Sequence, residues 1–187
     1  MASQIEICNM AIVQVGGNRI DNIDDQAQVE AIACRDHYAT ALDAVLESSE
    51  WVFATARAAI SPDLVPPSSA YTQSARFLLP ADCVRVLEVN AHAHDWVREG
   101  SYIYASVDTL ILRYIQRVVD TTRYPGTFVE ALVVHLASRL AIPIAHSREL
   151  AGQLDDAFLK MVGFASNKDG MQTPTKPYMT FKTLNAR

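Results

Sequence analysis

The sequence predicts an α+β fold that is mainly α-helical, with a small antiparallel β-sheet inserted between two helical halves. Apolar residues recur at helical spacing over about residues 3–60 and again over 127–166. Between them, over about 75–117, short stretches alternate apolar and polar residues as strands do. We therefore expect one helical bundle domain over residues 1–166 with the β block inserted, followed by an extended C-terminal arm over 167–187.

Composition is that of a globular protein that needs no disulfide bonds. Half of the 187 residues are hydrophobic and a fifth are charged, and a chain of this length buries about 70% of its unfolded surface. Three widely spaced cysteines, Cys8, Cys34 and Cys83, are an odd number that suits a reducing cytoplasm. We expect no signal peptide and no membrane segment, because every apolar run falls far below the roughly 20 residues that span a bilayer.

The first helix has clear start and stop signals. Ser3 and Glu6 have the spacing of a capping box, in which each residue's side chain bonds the other's backbone amide. The helix is expected to end at Gly16 and Gly17, because glycine tolerates the left-handed closing conformation. Apolar residues at helical spacing lie between these signals: Ile5, Cys8, Ile12 and Val15.

The next two helical pieces follow an acidic loop. Asp24 or Asp25 is expected to cap a second helix over about residues 26–48. The alanine-rich segment over residues 51–60 is predicted to be a third helical piece, and the proline-rich segment over 61–72 is predicted to be a loop.

The β block is followed by two more helices. Strands are predicted over 77–79, 84–90, 96–97, 101–105 and 110–115. Thr127 and Glu130 have the spacing of a second capping box. Pro143 is expected to end that helix, and Ser147 to cap the last one.

Several short segments, taken in order, are similar to those of a bacteriophage family. They are Ala33–Tyr38, Trp51–Ala54 with Arg57, Tyr71 in the proline-rich loop, Leu79–Val89, Tyr124–Pro125 and Phe128–Leu132. Over roughly residues 3–166 the chain resembles the tail tubular protein A family, the head-to-tail adaptors that form a ring beneath the portal. The resemblance implies helical bundles with a peripheral sheet, assembled as twelve-fold rings.

The resemblance also implies partners and a location. The expected partners are the phage portal protein, neighbouring copies of the chain and a downstream tail or nozzle protein, in the virion after assembly in the host cytoplasm. It implies no enzyme activity and no cofactor. At a net charge of −5 per chain, twelve copies would carry about −60, so an acidic lumen would let DNA pass without specific binding. A connector of a long-tailed phage is the alternative within this class.

A small cytoplasmic enzyme is the alternative from another class. Cys83 is the candidate nucleophile, and His92 with His94 is the candidate metal pair, because alternate residues of a strand share a face. We interpret Cys83 as a small buried residue and the two histidines as a solvated hairpin tip, because further ligands or a fixed base are not evident in the sequence.

Aromatic and basic residues of the middle region are interpreted as structural. Trp51 and Phe53 are expected to pack in the core, where large aromatic side chains contribute most. His135, within an apolar helix, is interpreted as a hydrogen-bonded interior residue. Intersubunit ion pairs are expected for Arg57, Arg76, Arg85, Arg113, Arg117 and Arg123.

The C-terminal arm is the predicted partner-binding segment. Pro174 and Pro177 favour extended backbone, and apolar side chains without a helical pattern are costly to leave in water. We expect the arm to cross to the portal or to a neighbouring adaptor, with a tail folded back on its own subunit as the alternative. The predicted contact residues are Lys176, Pro177, Tyr178, Met179 and Phe181.

Overall fold

A computed structural model describes residues 2–65, 67–91 and 95–172, with side chains described through residue 163. Within these residues the protein has the predicted α+β fold, with four α-helices and two three-stranded antiparallel sheets. The helices are α1 (Gln4–Gln14), α2 (Val29–Ser48), α3 (Gly126–Leu140) and α4 (Arg148–Gln172). The strands are β1 (Thr55–Ile60), β2 (Ala75–Leu78), β3 (Cys83–Val89), β4 (Trp96–Glu99), β5 (Tyr102–Ala105) and β6 (Leu110–Gln116).

Both ends of α1 form as the sequence predicts. The Ser3 hydroxyl accepts from the Glu6 amide at 3.2 Å, and the Glu6 carboxylate accepts from the Ser3 amide at 2.6 Å. Gly16 has φ +78°, and the amides of Gly16 and Gly17 donate to the carbonyls of Val13 and Ile12. This paired closure satisfies two of the carbonyls that the end of a helix leaves free.

Two of the other predicted caps are wrong. Gln28 precedes α2 and makes no side-chain cap, while the Asp25 carboxylate accepts from Ala27 in the preceding turn instead. Thr127 already lies inside α3, which begins at Gly126 after Pro125, so the second capping box does not form. The predicted cap of α4 is confirmed, since the Ser147 hydroxyl accepts from the Leu150 amide at 3.1 Å.

The segment over residues 51–60 is not helical, which corrects the prediction. A single 3-10 turn at Val52–Ala54 leads into β1, which pairs antiparallel with β6 from Thr55↔Ile115 to Ile60↔Leu110. Alanine favours a helix locally, but its preference is worth less than about 1 kcal/mol per residue, so six paired positions of tertiary structure override it.

The six strands form two sheets and not the single sheet predicted. One sheet has the order β1-β6-β3 and the other β2-β5-β4. Apolar residues of both sheets share one small core, which includes Phe77 and Ile103 from one sheet and Leu110, Leu112 and Tyr114 from the other. Because successive residues of a strand point to opposite faces, the next residue of β6, Ile115, packs into the helical core.

Helix α3 is the central helix of the helical part. It packs against α1, α2 and α4, and nine of its fifteen residues are buried. The buried residues are Phe128, Ala131, Leu132, Val133, His135, Leu136, Ala137, Ser138 and Leu140. A helix covered on three sides needs an apolar surface much wider than one stripe, which the sequence of α3 provides.

An aromatic cluster joins the start of α3 to the β part. Phe128 makes edge contacts with Trp51, Phe53 and Tyr124, with ring centroids 5.0, 4.8 and 4.8 Å apart. The Trp51 indole donates to the Val45 carbonyl at 2.7 Å, so its one polar atom is satisfied in the core. The predicted core position of Trp51, which is 2% exposed, is confirmed.

We expect Trp51→Ala to lower the free energy of unfolding by about 3–5 kcal/mol, because it removes a buried indole and leaves a cavity beside Phe128. Val52→Ala is the matched control: Val52 is 51% exposed, and the change should cost less than about 0.5 kcal/mol. Urea unfolding of both variants measures the difference. A loss below about 1 kcal/mol in Trp51→Ala would contradict the cluster's role in the core.

Candidate interaction surfaces

The predicted arm is partly helical and partly outside the described residues. Helix α4 continues to Gln172, so residues 167–172 are helical and not extended as predicted. A helix propagates at small cost once it is nucleated, and no proline interrupts the chain before Pro174. The predicted contact residues, Lys176, Pro177, Tyr178, Met179 and Phe181, lie outside the described residues.

Cys83 lies half-buried at the start of β3. Burial raises the pKa of its thiol above the ordinary value, so the group is protonated at neutral pH, whereas an activated nucleophile needs a lowered pKa. The preceding Asp82 is structural: its carboxylate accepts from Gln116 at 2.7 Å and from Tyr114 at 3.4 Å. These contacts hold the turn before β3 against β6.

The candidate metal pair of the enzyme alternative is not tested by the structure. His92 and His94 lie outside the described residues. Among the residues that the structure describes, no cluster of three or more His, Cys, Asp or Glu side chains is placed to hold a metal ion.

Five of the six arginines for which intersubunit ion pairs are expected contact groups of their own chain, and the intersubunit pairs stay a prediction. The Arg117 and Arg113 side chains approach the carboxylates of Asp43 and Glu50 at 2.6 and 3.3 Å. Arg85 donates to the Glu47 carbonyl at 3.0 Å. These three contacts fasten β3 and β6 to the C-terminal half of α2 and the residues that follow it. Two further arginines have partners in the chain: Arg76 pairs with Asp63 and Arg123 donates to the Phe53 carbonyl.

The acidic excess of the chain is confined to its first fifty residues. Residues 1–50 contain nine acidic and two basic residues, a formal charge of −7, whereas residues 51–187 contain twelve acidic and fourteen basic residues. Asp21, Asp24 and Asp36 are exposed on the loop before α2 and on α2 itself. The part of the chain that contains α1 and α2 therefore forms an acidic surface.

An apolar groove lies between α1, α3 and α4. Its volume is about 500 Å³, and Arg19 and Glu130 are its charged residues. Two of its apolar residues are solvent-exposed, Met10 by 39% and Val13 by 58%. The other apolar lining residues are Val129, Val133, Val134 and Met161. Exposed apolar surface that is gathered in a groove is typical of a docking site and not of scattered surface residues.

A second apolar feature is the tip of the loop between β1 and β2. Leu64 is 99% exposed and Val65 is 54% exposed. The loop is fixed on both sides of this tip. The Asp63 carboxylate pairs with Arg76 at 2.8 Å, and the Tyr71 ring stacks on Tyr104 with centroids 3.9 Å apart.

His135 is a buried histidine without a hydrogen-bond partner in the described part of the chain, so the predicted interior position is confirmed but the predicted hydrogen bond is wrong. Its ring lies 4.4 Å from that of Phe158, at the contact of α3 with α4. Burial, and then the positive charge of Arg139, lower the pKa of His135, while Asp155 at 3.9 Å acts in the opposite direction.

Comparison with known proteins adds no relative. No protein-family model matches the chain, and no curated protein matches it. Within the described residues, no helix is long and apolar enough to cross a membrane.

We expect the protein to lose stability as the pH falls below about 6.5, because the unfolded state then binds a proton at His135 more readily than the folded state does. Urea unfolding at pH 7.5 and 5.5 measures this loss. His135→Leu should reduce it, because leucine cannot be protonated, whereas the control His37→Leu, on the partly exposed side of α2, should keep it. An equal loss in His135→Leu and in the parent protein would contradict the assignment.

Proposed function

We propose that this protein is a structural subunit of a phage head-to-tail adaptor ring. The ring docks on the portal, continues the DNA channel and provides a platform for the next tail or nozzle protein. The observation that carries the proposal is the ordered set of segments from Ala33–Tyr38 to Phe128–Leu132 that resembles the tail tubular protein A family. In this reading the protein assembles in the host cytoplasm and resides in the virion, at the neck or tail.

The fold supports this proposal through the placement of those segments. Trp51 and Phe128, which belong to two of them, pack against each other in the aromatic cluster. The Leu79–Val89 segment supplies β3, which packs between the helical core and the β core. A helical core with a peripheral β part is also the architecture that the resemblance implies.

The charge distribution supports a role around DNA. The acidic N-terminal segment, residues 1–50, contains α1 and α2. If these helices line the lumen, about twelve copies present a strongly negative channel wall that repels phosphate, so DNA slides through without specific binding. A protein that coats DNA would instead need clustered Lys and Arg.

The two apolar features support a role in assembly. The groove between α1, α3 and α4 and the loop tip at Leu64 lie on different elements of one subunit. Contacts between unlike surfaces of identical subunits are heterologous, and they generate rings when the rotation closes. Both features are thus suited to contacts with neighbouring copies, the portal or the next tail protein.

We expect the protein, mixed with the portal protein of the same phage, to form rings seated on the portal. Light scattering and negative-stain electron microscopy measure this. Cys83→Ser and the double change His92→Ala with His94→Ala should assemble as the parent does, because the proposed mechanism is geometric and not chemical. If the protein stays monomeric in the presence of an assembled portal, the proposal is contradicted. Normal assembly with lost infectivity in either variant would favour an enzymatic role.

A further inference from the structure

The groove between α1, α3 and α4 lacks an occupant among the described residues. Met10 and Val13 project from α1 beside the apolar wall of α3, so the groove exposes side chains that cost free energy in water. Val13 alone is 58% exposed in the last turn of α1. A segment with apolar side chains would gain by covering it.

Residues 173–187 have the composition and the position of such a segment. They contain four large apolar residues, Tyr178, Met179, Phe181 and Leu184, within seven positions. They follow directly on α4, which forms one wall of the groove through Met161. Fifteen residues span up to about 50 Å when extended, which is enough to reach a neighbouring subunit.

Charge favours the same pairing. Residues 173–187 contain three basic residues and no acidic residue, a formal charge of +3. The groove's own charged residues, Arg19 and Glu130, balance each other, so the attraction comes from the surrounding acidic segment: α1 belongs to residues 1–50, which carry −7. Complementary charge steers such an encounter and orients it.

We propose that residues 173–187 of a neighbouring copy occupy this groove, with Tyr178 and Phe181 as the main apolar contacts. The inference rests on the proposed ring. A neighbour's groove is favoured over the segment's own because α4 continues eleven residues beyond Met161, about 16 Å, so the segment begins that far along the helix from the residue that lines the groove and would have to fold back along α4 to fill it. An arm that enters the next subunit is a head-to-tail contact, which is the kind that closes into rings.

Disulfide cross-linking in the assembled full-length protein tests this inference. In a Cys83→Ser background, Val13→Cys is combined with Thr180→Cys, and the rings are oxidised with copper phenanthroline. The matched control combines Val119→Cys with Thr180→Cys, since Val119 is 69% exposed and lies outside the groove. We expect a ladder of covalently linked chains for the Val13 pair, at least about tenfold more than for the control. Equal yields, or a link only within one chain, would overturn the inference.

The oligomeric state separates the inference from the proposed function. Rings that form without the Val13 cross-link would overturn the inference alone, whereas the absence of rings with the portal would overturn both.

A second pair of variants probes the groove without cysteines. Val13→Lys places a cation in the groove, against a basic segment, and Lys is well tolerated in the last turn of a helix. We expect ring assembly to need about tenfold more protein, as the loss of a contact at the centre of an interface produces, while Val119→Lys changes it less than about twofold. Equal effects in the two variants would overturn the inference.

Discussion

The burial of α3 is the constraint on which the rest of the structure depends. This helix is covered by α1, α2 and α4, and its first turn carries Phe128 into contact with three other aromatic rings. Trp51 and Phe53 in that cluster lie immediately before β1. The aromatic cluster that anchors α3 in the helical core therefore also fixes where the β part begins. The arginine contacts of β3 and β6 with the C-terminal half of α2 and the residues after it then fix the orientation of the β part.

The fixed packing of the helices and the β part suits a subunit of the proposed ring. A ring subunit must present several contact surfaces in fixed relative positions, because a small error in each contact would prevent closure. Here the groove is formed by three of the four helices of the described chain, and the exposed loop tip at Leu64 is held by the Asp63–Arg76 pair and the stacked rings of Tyr71 and Tyr104. Both surfaces are presented by well-packed elements.

Local signals predicted three helix ends correctly and two wrongly, at Asp25 and Thr127, whereas the larger misses come from non-local contacts. The capping box at Ser3, the glycines after α1 and the cap at Ser147 are short-range chemistry and were all correct. The strand after Trp51 was missed because its alanines favour a helix, and its pairing partner lies 50 to 60 residues away. The groove and the intrachain arginine contacts were also missed, since each joins residues distant in sequence. The signal available for the groove was that the apolar residues Met10 and Val13 fall outside the apolar row of α1.

Native-state hydrogen exchange tests most directly whether α3 and the aromatic cluster join the helical and β parts into one cooperative unit. The amides of Leu136 in α3 and Leu112 in β6 are both buried. We expect that, as denaturant increases, both exchange through the same global unfolding, with the same free energy and the same denaturant dependence. Exchange of Leu112 through a separate opening of lower free energy, while Leu136 stays protected, would contradict it.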